Sequence, residues 1–533
     1  MHLKRTHTCG QLRAADNGST VTLNGWIHSR RDHGGLIFVD LRDRYGKTQV
    51  VFDESVTADA FNTAKHLGME DVIAVKGKVV GRPEGSINTK IPTGQIDVYV
   101  DELEVLNESE PLPFLVTDRD SASEVLRLTY RYLELRTEDL QRYLATRSRV
   151  YQLTRDYFYG HDFIEVETPV LMKSTPEGAR DYLVPSRLHH GSFYALPQSP
   201  QIYKQLLMIA GYDRYFQIVK CFRDEDLRAA RQPEFTQIDV EMSFVDEEDV
   251  WGNVEGLINK LYKEVLDVEL PEHYERLTYG EAMERFGSDK PDLRYGLELQ
   301  EFAPYALKSD FGAFKSVLEK GGRVKTLVVP GGGKYSRKVI DELTRLVTHY
   351  HKGKGLAWMK AGETGLEGGI AKFFSDDLQR EIMAGLGVQS GDLLLFVADT
   401  EKVALSALGA LREEVARREN LADPDEVKPL WVTEFPLLEY DKETDRYMSV
   451  HHPFTAPHPD DVPNMESDPG KVRSRGYDLV INGNEVAGGS VRIHDTKLQE
   501  RVFRMLGISE EEAELKFSFL LKALKYGAPP HGG

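Results

Sequence analysis

The sequence has few cysteines and no long apolar run, and both absences limit what the protein can be. Its 533 residues include only two cysteines, Cys9 and Cys221, so neither a disulfide framework nor a cysteine-based zinc site is available. No apolar stretch approaches the roughly 18–20 residues that a membrane span requires, and the first residues do not form a signal peptide. We therefore expect a cytoplasmic protein without membrane association.

Basic side chains are outnumbered by acidic ones. The net charge is −19, from 67 basic and 86 acidic side chains, which argues against a nonspecific nucleic-acid coat. Local basic patches can still bind RNA, because charges act over a Debye length of about 8–10 Å. The length itself predicts several domains.

The most informative stretch is residues 215–244, in which two apolar runs flank a long charged loop. This pattern predicts an antiparallel strand pair with a functional loop at its tip. Side chains alternate along a strand, so Gln237, Asp239 and Glu241 share one face, and apolar residues occupy the other. The polar face is either simply solvated or part of a binding site.

The same stretch resembles motif 2 of the class II aminoacyl-tRNA synthetases. Residues 222–225 and 234–239 carry the resemblance, and Arg228, Arg231 and Gln232 lie in the loop between them. The amino-acid sequence of this stretch is similar to that of the bacterial aspartate enzymes of the family. The resemblance implies a homodimeric ligase that uses ATP and Mg²⁺ to join L-aspartate to tRNA(Asp).

Five strand signals precede this hairpin and predict a small β-barrel over residues 1–105. They lie at residues 21–27, 36–41, 47–52, 71–80 and 96–100, with a basic loop expected at 28–35. The region is similar to the anticodon-binding OB-fold of the aspartate, asparagine and lysine synthetases. That resemblance implies that Phe38 stacks on an anticodon base, while Arg31 and Gln49 contact base edges. At positions 33 and 85, the residues His33 and Gly85 resemble those of family members that charge tRNA(Asn) as well as tRNA(Asp).

A hinge or linker is expected at residues 106–135, where Pro111 and Pro113 interrupt regular structure. Apolar spacing then predicts a helix at 138–159, followed by a strand at 163–169. This order is similar to motif 1, which builds the homodimer interface in the family. Residues 136–290 would form the first part of the catalytic domain.

Residues 197–204 place amide and ammonium donors at the start of a predicted helix. Such donors suit a small carboxylate ligand, and they equally suit a helix cap. The resemblance assigns aspartate binding to Glu177, Gln201, Lys204, Asp239, His451 and Arg492. It makes Arg223 the catalytic residue and assigns ATP binding to Arg223, Glu225, Gln232 and Glu485. It also assigns Mg²⁺ to Asp478 and Glu485, whose oxygens suit a hard cation.

Residues 291–425 resemble the insertion domain of the bacterial enzymes. The glycine-rich stretch 330–334 lacks the spacing of a phosphate-binding loop and predicts a turn instead. A strand is predicted at 392–398, and another at 431–438. The histidine-rich loop 451–458 lacks the helical spacing of a zinc site.

The predicted fold is therefore α+β, with an OB-fold barrel and an antiparallel-sheet catalytic domain that is interrupted by an α+β insertion. Residues 426–533 complete the catalytic domain as far as the opening of motif 3, so we expect a truncated enzyme. Two alternatives stay open: a noncatalytic paralogue that binds tRNA, and a sister ligase for asparagine or lysine. Lys204 and Arg492 favour a substrate with an anionic side chain.

Overall fold

The structure is a computed structural model that describes residues 1–174, 179–226 and 232–533. The chain divides into two compact units, Met1–Val150 and Tyr151–Gly533. Within the described ranges, no helix combines the length and the apolar character needed to cross a membrane.

Five strands close into a barrel in the first unit, in the order β1-β2-β3-β5-β4. They are β1 (Thr20–Asp32), β2 (Leu36–Asp43), β3 (Gly46–Asp53), β4 (Val72–Gly81) and β5 (Ile96–Asn107), with helix α1 (Ala58–Ala64) after β3. Alternate residues such as Leu23, Val39 and Val98 point inward and are fully buried. Closure leaves no free strand edge, and it confirms the predicted OB-fold barrel.

Two stretches of the first unit differ from their predictions. Residues 28–35 are not a loop for most of their length, because a bulge between Ile27 and Ser29 lets β1 continue to Asp32. Residues 106–135 contain α2 (Glu124–Thr129) and α3 (Arg131–Glu134), which pack on an apolar cluster around Phe114. Helix α4 (Glu138–Tyr159) follows with the predicted bounds.

The motif 2 hairpin is the centre of the second unit, and its two strands confirm the predicted pair. Strand β10 (Glu234–Ser243) runs antiparallel to β9 (Arg214–Phe222), with Asp239 opposite Gln217. The strand predicted at 163–169 is only two residues long, because just Ile164 and Glu165 pair with β9. The elements of this region are β6 (Ile164–Glu165), β7 (Leu183–Pro185), β8 (Phe193–Ala195), α5 (Gln201–Ile209), β9 (Arg214–Phe222), β10 (Glu234–Ser243), α6 (Glu247–Leu266), β11 (Glu275–Thr278) and α7 (Tyr279–Phe286).

A second sheet, with five strands, lies between Leu299 and Asp399. Its elements are β12 (Leu299–Glu301), α8 (Ala303–Lys308), α9 (Gly312–Glu319), β13 (Arg323–Val329), α10 (Arg337–Arg345), β14 (Ala357–Ala361), β15 (Leu366–Glu367), α11 (Asp376–Leu386), β16 (Leu393–Asp399) and α12 (Glu401–Glu419). Strand β16 is buried on both faces, since Leu395 and Phe396 belong to different apolar clusters. A π-helical turn, Leu346–Tyr350, follows α10.

The remaining elements of the second unit lie between Pro429 and Gly532. They are β17 (Pro429–Thr433), β18 (Leu438–Asp441), β19 (Arg446–Ser449), β20 (Gly476–Ile481), β21 (Asn484–Ser490), α13 (Thr496–Met505), α14 (Glu510–Leu524) and β22 (His531–Gly532). The strand predicted at 431–438 is divided, because Glu434 has a φ of 54° in the left-handed region. Asn482 and Gly483 also have positive φ values, as the two-residue turn between β20 and β21 requires.

The two-residue strand β22 joins the hairpin to the β20–β21 pair. On one side Gly532 pairs with Met242 of β10. On the other side the amide of Ser490 donates to the Gly533 carbonyl at 3.0 Å, and the amide of Arg492 donates to the His531 carbonyl at 2.9 Å. Two four-stranded sheets, β22-β10-β9-β6 and β11-β17-β20-β21, are therefore joined by hydrogen bonds at β22. Short 3₁₀ turns lie at Ala14–Asp16, Glu84–Ser86, Val116–Ser121, Gly332–Lys334, Ala371–Phe373, Pro459–Asn464 and Pro469–Lys471.

Two helix glycines give a direct test of packing. A Cβ on Gly409 in α12 would collide with the Gly287 carbonyl, whereas a Cβ on Gly252 in α6 would meet nothing within 4 Å. Alanine favours a helix over glycine by up to about 1 kcal/mol, but overpacking costs about 1–3 kcal/mol. We expect Gly409→Ala to lower the thermal unfolding temperature and Gly252→Ala to maintain or raise it. Equal stability of the two variants would contradict the close approach of the chain at Gly287.

Candidate functional site

The polar face of the hairpin is buried, so of the two alternatives a simply solvated face is excluded. Asp239 is 8% exposed and Glu241 is fully buried, whereas Ile238 on the opposite face is 37% exposed. Helix α5 packs on β10 and covers the carboxylates. A buried charge is tolerated only when it is paired, so the partners of these two residues define the site.

Lys204 is the first partner and comes from α5. Its Nζ donates to Asp239 Oδ1 at 2.6 Å and lies 3.4 Å from Glu241 Oε2. Gln201 is three residues earlier, on the same helical face. Both side chains are buried. The helix start predicted at residues 197–204 therefore places Gln201 and Lys204 beside the hairpin.

Arg492 is the second partner, and every one of its donors has an acceptor. Nε and Nη2 donate to the two oxygens of Glu241 at 2.9 and 3.0 Å. Nη1 donates to His452 Nε2 at 2.8 Å and to Ser490 Oγ, and Nη2 also donates to the Gly533 carbonyl at 2.9 Å. This two-pronged pairing is specific to arginine. Arg492 thus joins β21 to the hairpin.

The burial and charges of this network shift its pKa values in different directions. Burial raises the pKa of Asp239, although Lys204 opposes the shift. Burial would also raise the pKa of Glu241, but Arg492 and Lys204 hold it below its usual value. Burial and the nearby Arg492 lower the pKa of His452 far below its usual value. His452 is therefore neutral and accepts the bond from Arg492.

Four buried atoms of the expected site residues lack a hydrogen-bond partner among the described residues. They are Gln201 Nε2, Arg223 Nε, Asp239 Oδ2 and His451 Nδ1. An unpaired buried polar atom costs about 1–3 kcal/mol, so these four atoms are available to pair with a bound ligand. An amide donor together with a carboxylate acceptor suits a small molecule that carries both a carboxylate and an ammonium group.

A second pair of carboxylates lies on the β20–β21 hairpin. Asp478 Oδ1 is 3.3 Å from His451 Nε2. A Cβ on Gly488 would sit 2.7 Å from Asp478 Oδ1 and 3.9 Å from Glu485 Oε1, so glycine leaves room between the two acids. No group of three or more possible metal ligands occurs in the described ranges.

Three residues expected to bind ATP, Arg223, Glu225 and Gln232, lie at the two ends of the motif 2 loop. The Arg223 guanidinium stacks 5.1 Å from the Phe235 ring, and its amide donates to the Pro233 carbonyl at 2.9 Å. Glu225 and Gln232 are exposed on either side of the loop. Glu177, Arg228 and Arg231 lie outside the described residues, and the expected role of Glu177 in aspartate binding stays a prediction.

The barrel residues that were expected to contact RNA lie together on its outer face. Arg31 Nη2 donates to Gln49 Oε1 at 2.9 Å, and Gln49 Nε2 donates to Asp97 Oδ1 at 2.9 Å. Arg31 is opposite Phe38 in the strand register. His33 meets the edge of Phe38, with ring centroids 5.7 Å apart. Cations and aromatic rings in this arrangement suit an unpaired nucleotide strand.

Gly85 lies in the 3₁₀ turn Glu84–Ser86. A Cβ at this position would meet nothing within 4 Å, so packing does not require glycine there.

Several site residues were not assigned from the sequence. Glu241 was recognised as lying on the polar face, but its ion pair with Arg492 was not predicted. His452, Ser490 and His531 were also missed, although His452 is adjacent to His451 and Ser490 lies two residues before Arg492. His531 Nε2 lies 3.3 Å from Gln205 Oε1 at the base of the site. Only the tertiary structure brings these residues to Arg492 and α5.

Two family descriptions match the chain. Residues 123–533 match "tRNA synthetases class II (D, K and N)", and residues 21–106 match "OB-fold nucleic acid binding domain". Together they span the two hairpins and the barrel.

Similar proteins span almost the whole chain. A relative from Desulfatibacillum aliphaticivorans is 56% identical over 532 residues, covering 100% of this chain and 89% of its own length. One from Caldanaerobacter subterraneus subsp. tengcongensis is 53% identical, covering 100% of this chain and 90% of its own length. Both are named aspartate–tRNA(Asp/Asn) ligase. Asparaginyl-tRNA synthetase from Pyrococcus horikoshii has the same fold, with a TM-score of 0.61, 18% identity and coverage of 99% and 92% of the two chains.

The Glu241–Arg492 pair predicts a pH-dependent stability. Glu241→Gln would leave Arg492 buried without its counterion, which costs about 3–5 kcal/mol at neutral pH. The folded-state pKa of Glu241 lies below its usual 4.5, so its contribution is complete above pH 4.5 and is lost as the pH falls through the folded-state value. The difference in unfolding free energy between wild type and variant, measured in urea, should shrink on acidification.

Glu234→Gln is the matched control on the same strand. Glu234 pairs with Lys220 at 2.7 Å, but both side chains are more than half exposed. We expect this variant to change the unfolding free energy by about 0–1 kcal/mol. A Glu241→Gln effect of the same size would mean that the Arg492 pair contributes no more than a surface pair.

Proposed function

The chain belongs to the class II tRNA synthetases of the D, K and N group, and we propose that it is an aspartate–tRNA ligase. Ligases of this class use ATP. The aspartate carboxylate attacks the α-phosphorus of ATP, forming aspartyl-adenylate and releasing pyrophosphate. A terminal ribose hydroxyl of tRNA then attacks the activated carbonyl, and AMP leaves. Full-length similarity to relatives with this name supports the proposal.

The observation that carries the aspartate site is the set of unpartnered atoms around α5 and β10. Asp239 Oδ2 is a buried acceptor suited to the substrate ammonium, and Gln201 Nε2 is a buried donor suited to a carboxylate. Lys204 and Arg492 supply positive charge for the anionic side chain of aspartate. A direct bond from Arg492 to aspartate requires that one of its five present bonds be exchanged. His451 and Glu177 complete the proposed aspartate contacts.

Arg223 is the proposed catalytic residue. A guanidinium that donates to the α-phosphate stabilises the negative charge that develops as pyrophosphate departs. The unpartnered Nε and the stacking on Phe235 leave the group oriented but available. Glu225, Gln232 and Glu485 are the other proposed ATP contacts. The chemistry then depends on positioning more than on proton transfer.

Mg²⁺ is proposed to bind between Asp478 and Glu485. The space that Gly488 leaves beside both carboxylates fits a small cation with oxygen ligands. Mg²⁺ keeps several waters and shares substrate phosphates in such sites, so two protein carboxylates are enough. When bound, it would neutralise charge on the ATP phosphates.

The barrel face is proposed to bind the anticodon. Phe38 would stack on one base, while Arg31 and Gln49 would contact base edges. His33, beside Phe38, and Gly85, where packing does not require glycine, are proposed to permit tRNA(Asn) as well as tRNA(Asp). The similarity to relatives named aspartate–tRNA(Asp/Asn) ligase supports both tRNAs.

A homodimer that works in the cytoplasm is the proposed form of the enzyme. In the second unit, apolar side chains near the motif 1 strand are about half exposed, as expected of a surface that a partner covers. They are Tyr159, Ile164, Val170 and Leu171.

The first test is aspartate-dependent exchange between ATP and pyrophosphate. We expect Arg223→Ala to slow exchange by about 10²–10³-fold, since one donor to the developing charge is lost. Lys220→Ala is the control, because Lys220 is an exposed residue of β9 only three positions before Arg223. No exchange by the wild-type chain, with intact binding of tRNA, would favour the noncatalytic alternative.

The second test compares aspartylation of tRNA(Asp) and tRNA(Asn). We expect both to be charged, with kcat/KM values within about tenfold of each other, a difference of about 1.4 kcal/mol or less. His33→Ala should change this ratio while leaving ATP–pyrophosphate exchange unchanged, because all proposed ATP and aspartate contacts lie in the second unit and His33 lies in the first. Absence of product on tRNA(Asn) would rule out the dual specificity.

A further inference from the structure

A cavity of about 300 Å³ lies in the first unit, outside the residues assigned to the anticodon. Its main lining residues are four arginines and two aromatic residues: Arg5, Arg42, Arg44, Arg136, Trp26 and Tyr45. The volume is at the lower end of small-molecule pockets. The chain as a whole carries a net charge of −19, so a cluster of guanidinium groups is unusual here.

The arginines of this cavity outnumber their acidic partners. Glu70 Oε2 accepts from both Arg42 and Arg136, at 2.8 and 2.9 Å. Asp43 is 3.5 Å from Arg5. Four positive groups therefore face two carboxylates. The pKa of the neighbouring His28 is lowered by burial first and then by the charges of Lys47 and Arg42.

The guanidinium groups are held in place before any ligand arrives. Glu70 is 3% exposed and has a φ of 67°, a left-handed conformation that a non-glycine residue adopts only when its surroundings require it. It fixes Arg42 and Arg136. Arg136 stacks 5.4 Å from the Trp26 ring, and Arg44 stacks 4.7 Å from the Tyr45 ring. Stacking orients the flat face of each group and leaves N–H edges for an anion.

Arg44 is the most available of the four. It is exposed, and its Nη2 donates to Tyr45 Oη at 3.0 Å. No ion pair of Arg44 occurs within the described ranges. Arg42 follows Phe38 by four residues on the same face of β2, so the cavity lies about 13 Å along the strand from the proposed stacking residue. One RNA strand can reach both.

We propose that this cavity binds a phosphate group. Fork-shaped guanidinium groups match phosphate oxygens in geometry and charge, and a net positive pocket with prepositioned donors loses little entropy on binding. The phosphate comes either from the backbone of a bound tRNA, in which case the inference rests on the proposed function, or from a free phosphate ion.

The first arm of the test uses inorganic phosphate and the full chain. Trp26 is one of four tryptophans, so its fluorescence is followed during titration with phosphate against chloride of equal ionic strength. We expect a saturable change specific to phosphate, which Trp26→Phe removes. Arg44→Gln should raise the half-saturation concentration about tenfold, as expected for one charge-assisted bond.

Lys78→Gln is the matched control for charge. Lys78 is exposed on β4 of the same barrel, six residues from Val72, which is opposite Trp26. The Lys78→Gln variant removes one positive charge about 20 Å from the cavity. We expect this variant to bind phosphate as the wild type does.

The second arm measures tRNA affinity over a range of salt concentrations. For a backbone phosphate, Arg44→Gln weakens binding about tenfold and reduces the salt slope by about one, more than Lys78→Gln does. A phosphate-specific fluorescence change without an effect on tRNA assigns the pocket to free phosphate. ATP–pyrophosphate exchange by the wild-type chain is measured in parallel. Loss of exchange would contradict the proposed ligase function, whereas loss of phosphate binding with normal exchange would contradict only the proposed phosphate site.

Two results overturn the inference. One is the absence of both a phosphate-specific signal in the wild type and an Arg44→Gln effect on tRNA affinity. The other is an equal effect of Arg44→Gln and Lys78→Gln in both arms, which would mean that only the general charge of the barrel matters.

Discussion

Two carboxylates on one strand set the main constraint on the second unit. Asp239 and Glu241 are removed from water, so each requires a cation that is equally removed. Lys204 arrives from a helix 35 residues earlier, and Arg492 from a strand end 251 residues later. Helix α5 must therefore cover the hairpin, and β21 must approach it through β22. The contacts that build the sheet are the same contacts that form the proposed substrate pocket.

Local patterns in the sequence were enough to predict several elements. The barrel strands, helix α4 and the motif 2 hairpin all follow from alternation or helical spacing over short stretches. The burial of the polar face was not predictable in the same way. Alternation identifies Asp239 and Glu241 as neighbours on one face, but it does not indicate what covers that face. The covering residues, Lys204 and Arg492, are too far away in sequence for any local pattern to include them.

The first unit shows the same limit. Phe38, Arg31 and Gln49 were expected on one face because of the family resemblance, and they do lie together. The extension of β1 was missed, since its bulge depends on how the closed barrel twists and not on the sequence of residues 28–32. The arginine cavity left no sequence signal at all. Arg5, Arg44 and Arg136 belong to three separate segments, and only the fold makes them neighbours.

The separation of 251 residues between Glu241 and Arg492 also affects when the two partners become available during synthesis of the chain. A ribosome that adds about 5–20 residues per second needs about 10–50 s to travel from one partner to the other. Throughout that interval the nascent hairpin holds two acids without the guanidinium that allows the second of them to be buried, so they stay hydrated. The five-stranded sheet between Leu299 and Asp399 has its own apolar clusters and can fold meanwhile. The order of synthesis thus delays completion of the pocket until a neighbouring domain is already in place.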